Sequence, residues 1–124
     1  MHDQPSISEL VQAVKNFIDE SAAPNLTGHA AFHARVASNA LATVLRDLEQ
    51  RPNAEVAERA RLITLLGADE DADIKTLNAE LSTRIQSDAF SIETAGLLAH
   101  LKATTMAQVE IDQPRYSGLK TAKT

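Results

Sequence analysis

Apolar residues recur along this chain at intervals of three and four, with polar residues between them. That period puts them on one face of an α-helix. The first stripe, Ile7, Leu10, Val11, Val14, Phe17 and Ile18, predicts a helix over residues 7–21. Ser6 and Glu9 form a capping-box pattern at its start, in which each side chain can satisfy an orphan N–H of the first turn. Pro24 stops it. The second stripe, Ala30, Ala34, Ala37, Leu41, Val44 and Leu48, predicts a longer helix over 30–50, ended by Pro52. Its first half is rich in alanine, which lets a neighbouring helix approach closely. Phe32 and Val36 lie on other faces, the pattern of a helix that is central in a bundle or touches a second chain.

Three further helices follow. Val56, Ala60, Ile63 and Leu66 predict one over 54–66, with Asn53 as N-cap, Gly67 just past its end, and Glu55 and Arg59 as an exposed i,i+4 pair. An acidic connection, 68–72, leads to Asp73 as the N-cap of a helix over 74–87. Its stripe of Ile74, Leu77, Leu81 and Ile85 is narrow, as suits a peripheral helix. Leu97, Leu98, Leu101, Thr105 and Val109 predict the last helix, over 92–111, capped by Ser91. Thr104 and Thr105 sit in its middle, where their hydroxyls can bond back to a carbonyl one turn earlier. No alternating run reads as a strand. The predicted fold is all-α, an antiparallel bundle of four to five helices in a single domain over 1–117. Residues 118–124, with Leu119 as their one apolar anchor, are expected to fray.

Composition narrows the function classes. The 124 residues contain no cysteine, so disulfides, thiolate metal sites and thiol nucleophiles are excluded. The net charge is −5 with acids and bases interspersed, and no basic stripe is present to neutralise nucleic-acid phosphates. Three Phe, one Tyr and no Trp offer little for base stacking. No apolar run reaches the ~20 residues that span a bilayer. The opening Met1-His2-Asp3-Gln4-Pro5 lacks the basic start and apolar core of a signal peptide. A cytoplasmic protein without nucleic-acid or membrane partners is expected.

Few constellations could carry chemistry. His29 and His33 are spaced to face one metal ion from a helix, but two ligands do not define a site. Asp69, Asp71, Asp73 and Glu80 match four positions of a calcium loop, yet Ile74 stands where the sharp turn needs glycine. The favoured reading of that segment is an acidic helix start, and neither a metal nor a cofactor is expected. Arg35 and Asn39, again i,i+4, form a polar set with His33. Arg35 could clamp an anion, although a structural tie to a neighbouring acid explains it as well. Pro114 ends the last helix, and Tyr116 can fold back onto the bundle as a clasp.

Two segments carry a family resemblance. One is Ala31-Phe32-His33-Ala34-Arg35-Val36-Ala37-Ser38-Asn39-Ala40-Leu41. The other joins Leu98-Ala99-His100-Leu101-Lys102-Ala103-Thr104 with Asp112-Gln113-Pro114-Arg115-Tyr116-Ser117, and Leu77-Asn78-Ala79-Glu80-Leu81 lies between them. Together they resemble a bacterial family of short helical proteins of unknown function, over about Pro5 to Ser117. The resemblance implies a genomic neighbourhood of aminoglycoside-phosphotransferase-like kinases and acyl-CoA dehydrogenases. It brings no catalytic residues. It raises His33, Arg35, Asn39, Arg115 and Tyr116 as candidate ligand-binding residues, because they are the polar part of the match.

Three functions compete on these grounds. The preferred one is a noncatalytic accessory protein whose partner is a phosphotransferase-like kinase or an acyl-CoA dehydrogenase. The second is a module for an acyl-CoA or other anionic acid, bound between the second and last helices with Arg35 and Arg115 toward the anion. The third is an enzyme using His33 or His100 beside a carboxylate in a cleft. The spare apolar surface of the second helix also predicts a homodimer.

Overall fold

The computed structural model describes residues 4–124; the reading of the chain's opening at Met1, His2 and Asp3 lies outside them. Among the described residues there are five α-helices and no strand, so the fold is all-α. The helices are α1 (Ile7–Phe17), α2 (Gly28–Leu66), α3 (Ile74–Gln86), α4 (Leu97–Asp112) and α5 (Ser117–Lys123). None is long and apolar enough to cross a membrane. Two compact units make up the chain, Met1–Arg51 and Pro52–Thr124.

In the first unit Ser6 caps α1 as its sequence predicts, its hydroxyl accepting from the Glu9 N–H at 3.1 Å. The helix then widens into a π-helical turn, Ile18–Ala22, and tightens into a 3-10 turn, Ala23–Asn25, that carries Pro24. Gly28 opens α2 at a φ of 60°. The Ser38 hydroxyl donates to Asp19 at 2.5 Å, while Lys15 holds the other carboxylate oxygen at 2.7 Å. Asp19 and Ser38 stand almost equally far from Gly28, so α1 and the first half of α2 form an antiparallel hairpin. The bond also sets the rotation of α2. Ala31, Ala34, Ser38, Leu41, Ala42 and Leu45 are its covered row, while Ala30, Ala37 and Val44 of the expected seam are exposed.

The largest departure from the sequence reading is α2 itself. The helices expected over 30–50 and 54–66 are one helix of 39 residues with Pro52 inside it. Proline has no N–H and so leaves the Leu48 carbonyl without its helical donor, but its fixed φ is itself helical. Asn53 therefore lies within the helix and caps nothing. Arg51 donates through Nε and Nη2 to a single Asp47 carboxylate oxygen, at 3.0 and 2.8 Å, and so staples the turn before the proline.

Leu62, Leu66, Leu77, Leu81 and Leu97 make the core of the second unit, drawn from α2, α3 and α4. Leu62 and Leu77 are 0% and 1% exposed, and burying each such side chain stabilises by about 1.5–3 kcal/mol. Gly67, at a φ of 62°, ends α2 as predicted. The Ala68 N–H closes the turn on the Ile63 carbonyl at 3.1 Å. Asp73 caps α3 through the Thr76 N–H at 2.8 Å, and the Asn78 amide meets Glu58 at 3.0 Å across the resulting antiparallel pair. Arg59 does not pair with Glu55 as expected. Its guanidinium crosses to the connection and donates to the carbonyls of Glu70 and Ala72.

The last predicted helix starts later than its periodicity implies. Ser91 does cap a turn, accepting from the Glu93 N–H at 3.2 Å, but Gly96 adopts a φ of 86°, which no continuing right-handed helix allows. Helix α4 begins after it, and Ile92 is left 75% exposed. The segment expected to fray, 118–124, contributes most of α5, with Leu119 buried against α4.

Candidate functional site

The clearest concavity lies within the second unit, where α5 packs on α4. Helix α4 ends because Pro114 cannot supply an N–H to continue it. The chain reverses through two tight hydrogen bonds, from the Gln113 N–H to the Val109 carbonyl at 2.7 Å and from the Tyr116 N–H to the Gln113 carbonyl at 2.9 Å. Ile111 and Leu119 are buried on either side of this reversal. An apolar groove of about 370 Å³ opens between the helices, walled by Leu98, Leu101, Met106, Val109, Tyr116 and Leu119, with Lys102 at its edge. Its size falls in the range of small-molecule sites. Gly118 shapes the wall: a Cβ there would come within 2.6 Å of the Tyr116 ring, so the glycine lets the ring lie flat against α5.

A second hollow of about 410 Å³ adjoins the first, with Arg115, Ser117, Lys120 and Lys123 around it and Tyr116 and Leu119 shared. Lys123 is paired with Glu110 at 2.5 Å. The arrangement is an apolar slot with cations along one rim, which suits an amphipathic anion or an apolar side chain flanked by acids.

The sequence-predicted residues fall in both units. Arg115 and Tyr116 sit at the groove of the second. His33, Arg35 and Asn39 lie on α2 in the first, all three exposed. His33 meets the edge of Phe32 at a centroid distance of 5.6 Å, and the Asn39 carbonyl accepts from the Thr43 hydroxyl at 3.2 Å. Arg35 takes part in no ion pair among the described residues. The groove therefore draws on α4 and α5, with Lys102 and Tyr116 in its lining, while Arg115, Lys120 and Lys123 line the adjoining hollow. Lys120 and Lys123 carried no signal in the sequence, because the segment that forms α5 was read as a loose tail.

His100 occupies a different environment. It is 4% exposed on α4, and Arg61 of α2 donates to its Nδ1 at 3.4 Å and to the Thr104 hydroxyl at 3.1 Å. Burial pushes its pKa below the ordinary 6.5, and the Arg61 charge adds to that, while Glu58 opposes it weakly. The imidazole is thus held neutral as an acceptor for a guanidinium, and among the described residues no carboxylate is hydrogen-bonded to it. Arg61 was missed by the sequence reading, although His100 and Thr104, one turn apart, mark the polar gap it fills. Asp19 and Asp73 are the other shifted groups. Both lie below 3.8, Asp19 chiefly through its bonds to Lys15 and Ser38, Asp73 through those to Thr76.

The acidic residues of the calcium-like pattern engage in local contacts. Asp69 accepts from the Asp71 N–H at 3.0 Å, Asp73 is engaged as a cap, and Glu80 turns along α3 to Arg84 at 2.5 Å. No group of three or more acidic or histidine side chains able to hold a metal occurs among the described residues.

Fold and groove together define a small all-α protein with an apolar, cation-rimmed cleft. Residues 24–116 match the family described as "Domain of unknown function (DUF6285)", three quarters of the chain, and the chain belongs to that family. No characterised protein and no solved structure matches it significantly.

Proposed function

We propose that this chain is a noncatalytic helical interaction protein of the bacterial cytoplasm, whose partner is a phosphotransferase-like kinase or an acyl-CoA dehydrogenase. The observation that carries the reading is the groove between α4 and α5. Leu98 and Tyr116 stand 57% and 56% exposed at its mouth, and apolar surface of this kind with a polar rim marks recognition sites. The partner inserts an apolar side chain into the slot and sets acidic residues against Arg115 and Lys120. The engagement of His100 by Arg61 favours a structural role for that histidine over an enzymatic one. The neighbourhood implied by the family resemblance names the partner classes.

Co-purification of the tagged full chain from its native host tests the proposal. The expected result is recovery of one of these enzymes from wild-type protein and its loss from Leu98→Asp, with the thermal midpoint unchanged because Leu98 is exposed. Recovery of the chain by itself, with neither enzyme encoded nearby, overturns the assignment.

A second reading is favoured by the same rim: a carrier of an acyl-CoA or other anionic acid, with the acyl chain in the slot and the anion at Arg115. Tyr116 is the chain's one tyrosine and there is no tryptophan. Intrinsic fluorescence therefore reports directly on the groove. A saturable change on titration with acyl-CoAs, abolished by Arg115→Ala, supports this reading; a flat titration dismisses it.

A further inference from the structure

We propose that two copies of this chain associate through the hairpin of α1 and the first half of α2, closing into a four-helix bundle. Ile7, Leu10, Val14 and Phe17 are 66%, 52%, 52% and 62% exposed. At 100° per residue these four fall within an arc of about 80°. That arc lies about a quarter turn from Val11, Lys15 and Ile18, the half-buried row of α1 that faces α2. On α2, the exposed Ala30, Ala37 and Val44 likewise lie about a quarter turn from the row that contains Ser38. Both helices are right-handed and they run in opposite directions, so the two quarter turns open on the same side of the hairpin. The result is one continuous face with no ionisable side chain at any of these positions. Phe32 and Val36 lie off this face, on the back of α2 away from the row that contains Ser38.

Area and shape select a second copy as the occupant. Ile7, Leu10, Val14, Phe17 and Val44 leave on the order of 500 Å² of apolar side chain in water, near the upper end of the largest patch on a monomer. A homodimer of ordinary size buries about 800 Å² per partner, of which about 65% is apolar; the two areas agree. The face is also self-complementary. Bulky Leu10 and Phe17 stand on α1, small Ala30 and Ala37 on α2, and a two-fold axis sets α1 of each copy against α2 of the other. An uncharged face brings two chains of net charge −5 together without like charges at the contact.

Sedimentation equilibrium of the full chain, from about 1 to 100 μM, spans the affinities of ordinary homodimers. The expected mass is twice 13.4 kDa, with Phe17→Glu monomeric and Val36→Glu still dimeric. Because Phe17→Glu could also disturb the hairpin, an equimolar mixture of Val14→Cys and Val44→Cys chains, positions that the two-fold axis sets α1 against α2, provides an independent readout in a chain without native cysteine. Mild oxidation then gives a disulfide-linked dimer of the two variants, and a mixture of Val14→Cys and Val36→Cys does not. A wild-type chain at monomer mass throughout the range, or cross-linking through position 36 in place of 44, overturns the proposal.

Discussion

Pro52→Ala should stabilise the protein. Within α2 the proline withholds one hydrogen bond from the Leu48 carbonyl, and in a helix interior it is about 3 kcal/mol less favourable than alanine. Alanine restores the N–H and removes the ring. Part of the gain is offset, because proline also restricts the unfolded chain, an effect worth about 0.4–1 kcal/mol. The net expectation is a stabilisation of about 2 kcal/mol. Asn53→Ala, one residue on, should be neutral or slightly favourable, since alanine is the better helix former at an interior position. If the chain instead broke at Pro52, the signs would change. Asn53 would be an N-cap, its loss would cost about 1 kcal/mol, and Pro52, just outside the helix, would withhold no helical hydrogen bond. Urea denaturation of both variants, with native-state amide exchange across residues 48–56, separates the cases. An unchanged midpoint for Pro52→Ala together with a destabilised Asn53→Ala would refute the continuous helix.

Leu62→Ala, at a fully buried position, should cost about 3–5 kcal/mol, whereas Val56→Ala, at 71% exposure, should stay within about 0.5 kcal/mol; paired urea melts check the contrast. His100 has a lowered folded pKa, so the unfolded state takes up its proton first. The stability it contributes is present above pH 6.5 and is lost as the pH falls below it. Urea midpoints from pH 8 to 5 should decline in the wild type and flatten in His100→Leu, and an equal slope in both would remove His100 as the cause. Gly118→Ala should displace the Tyr116 ring and change its fluorescence while costing less than about 1 kcal/mol, because the exposed ring can swing away. An emission spectrum identical to wild type would show that the ring does not rest on Gly118.

Where a signal in the sequence was local, it was legible. The Ser6 and Asp73 caps and the Gly67 terminator depend on residues three or four apart, and each forms as read. The stripe of Leu77 and Leu81 reaches the core for the same reason. The errors share a cause in longer-range competition. Pro52 was read as a stop on its own chemistry, but the helical stripes on both sides of it outweigh one missing hydrogen bond. Gly96 carries no periodic signal, so nothing in the pattern of 92–111 revealed that its left-handed backbone delays α4. Leu119 looked too solitary to anchor a helix, and only the reversal at Pro114 brings it onto α4. The groove followed from that reversal, so Lys120 and Lys123 of α5 were invisible in the pattern.

Arg59 binds two main-chain oxygens of the acidic connection, at Glu70 and Ala72, from a fixed point on α2. The peptide carbonyls there are turned inward to a guanidinium, while the carboxylates of Asp69, Glu70 and Asp71 face water. Surface connections ordinarily tolerate insertions well. This one is measured out by the reach of a single side chain, so over evolutionary time its outward letters are free to drift while the spacing between residues 67 and 73 is not.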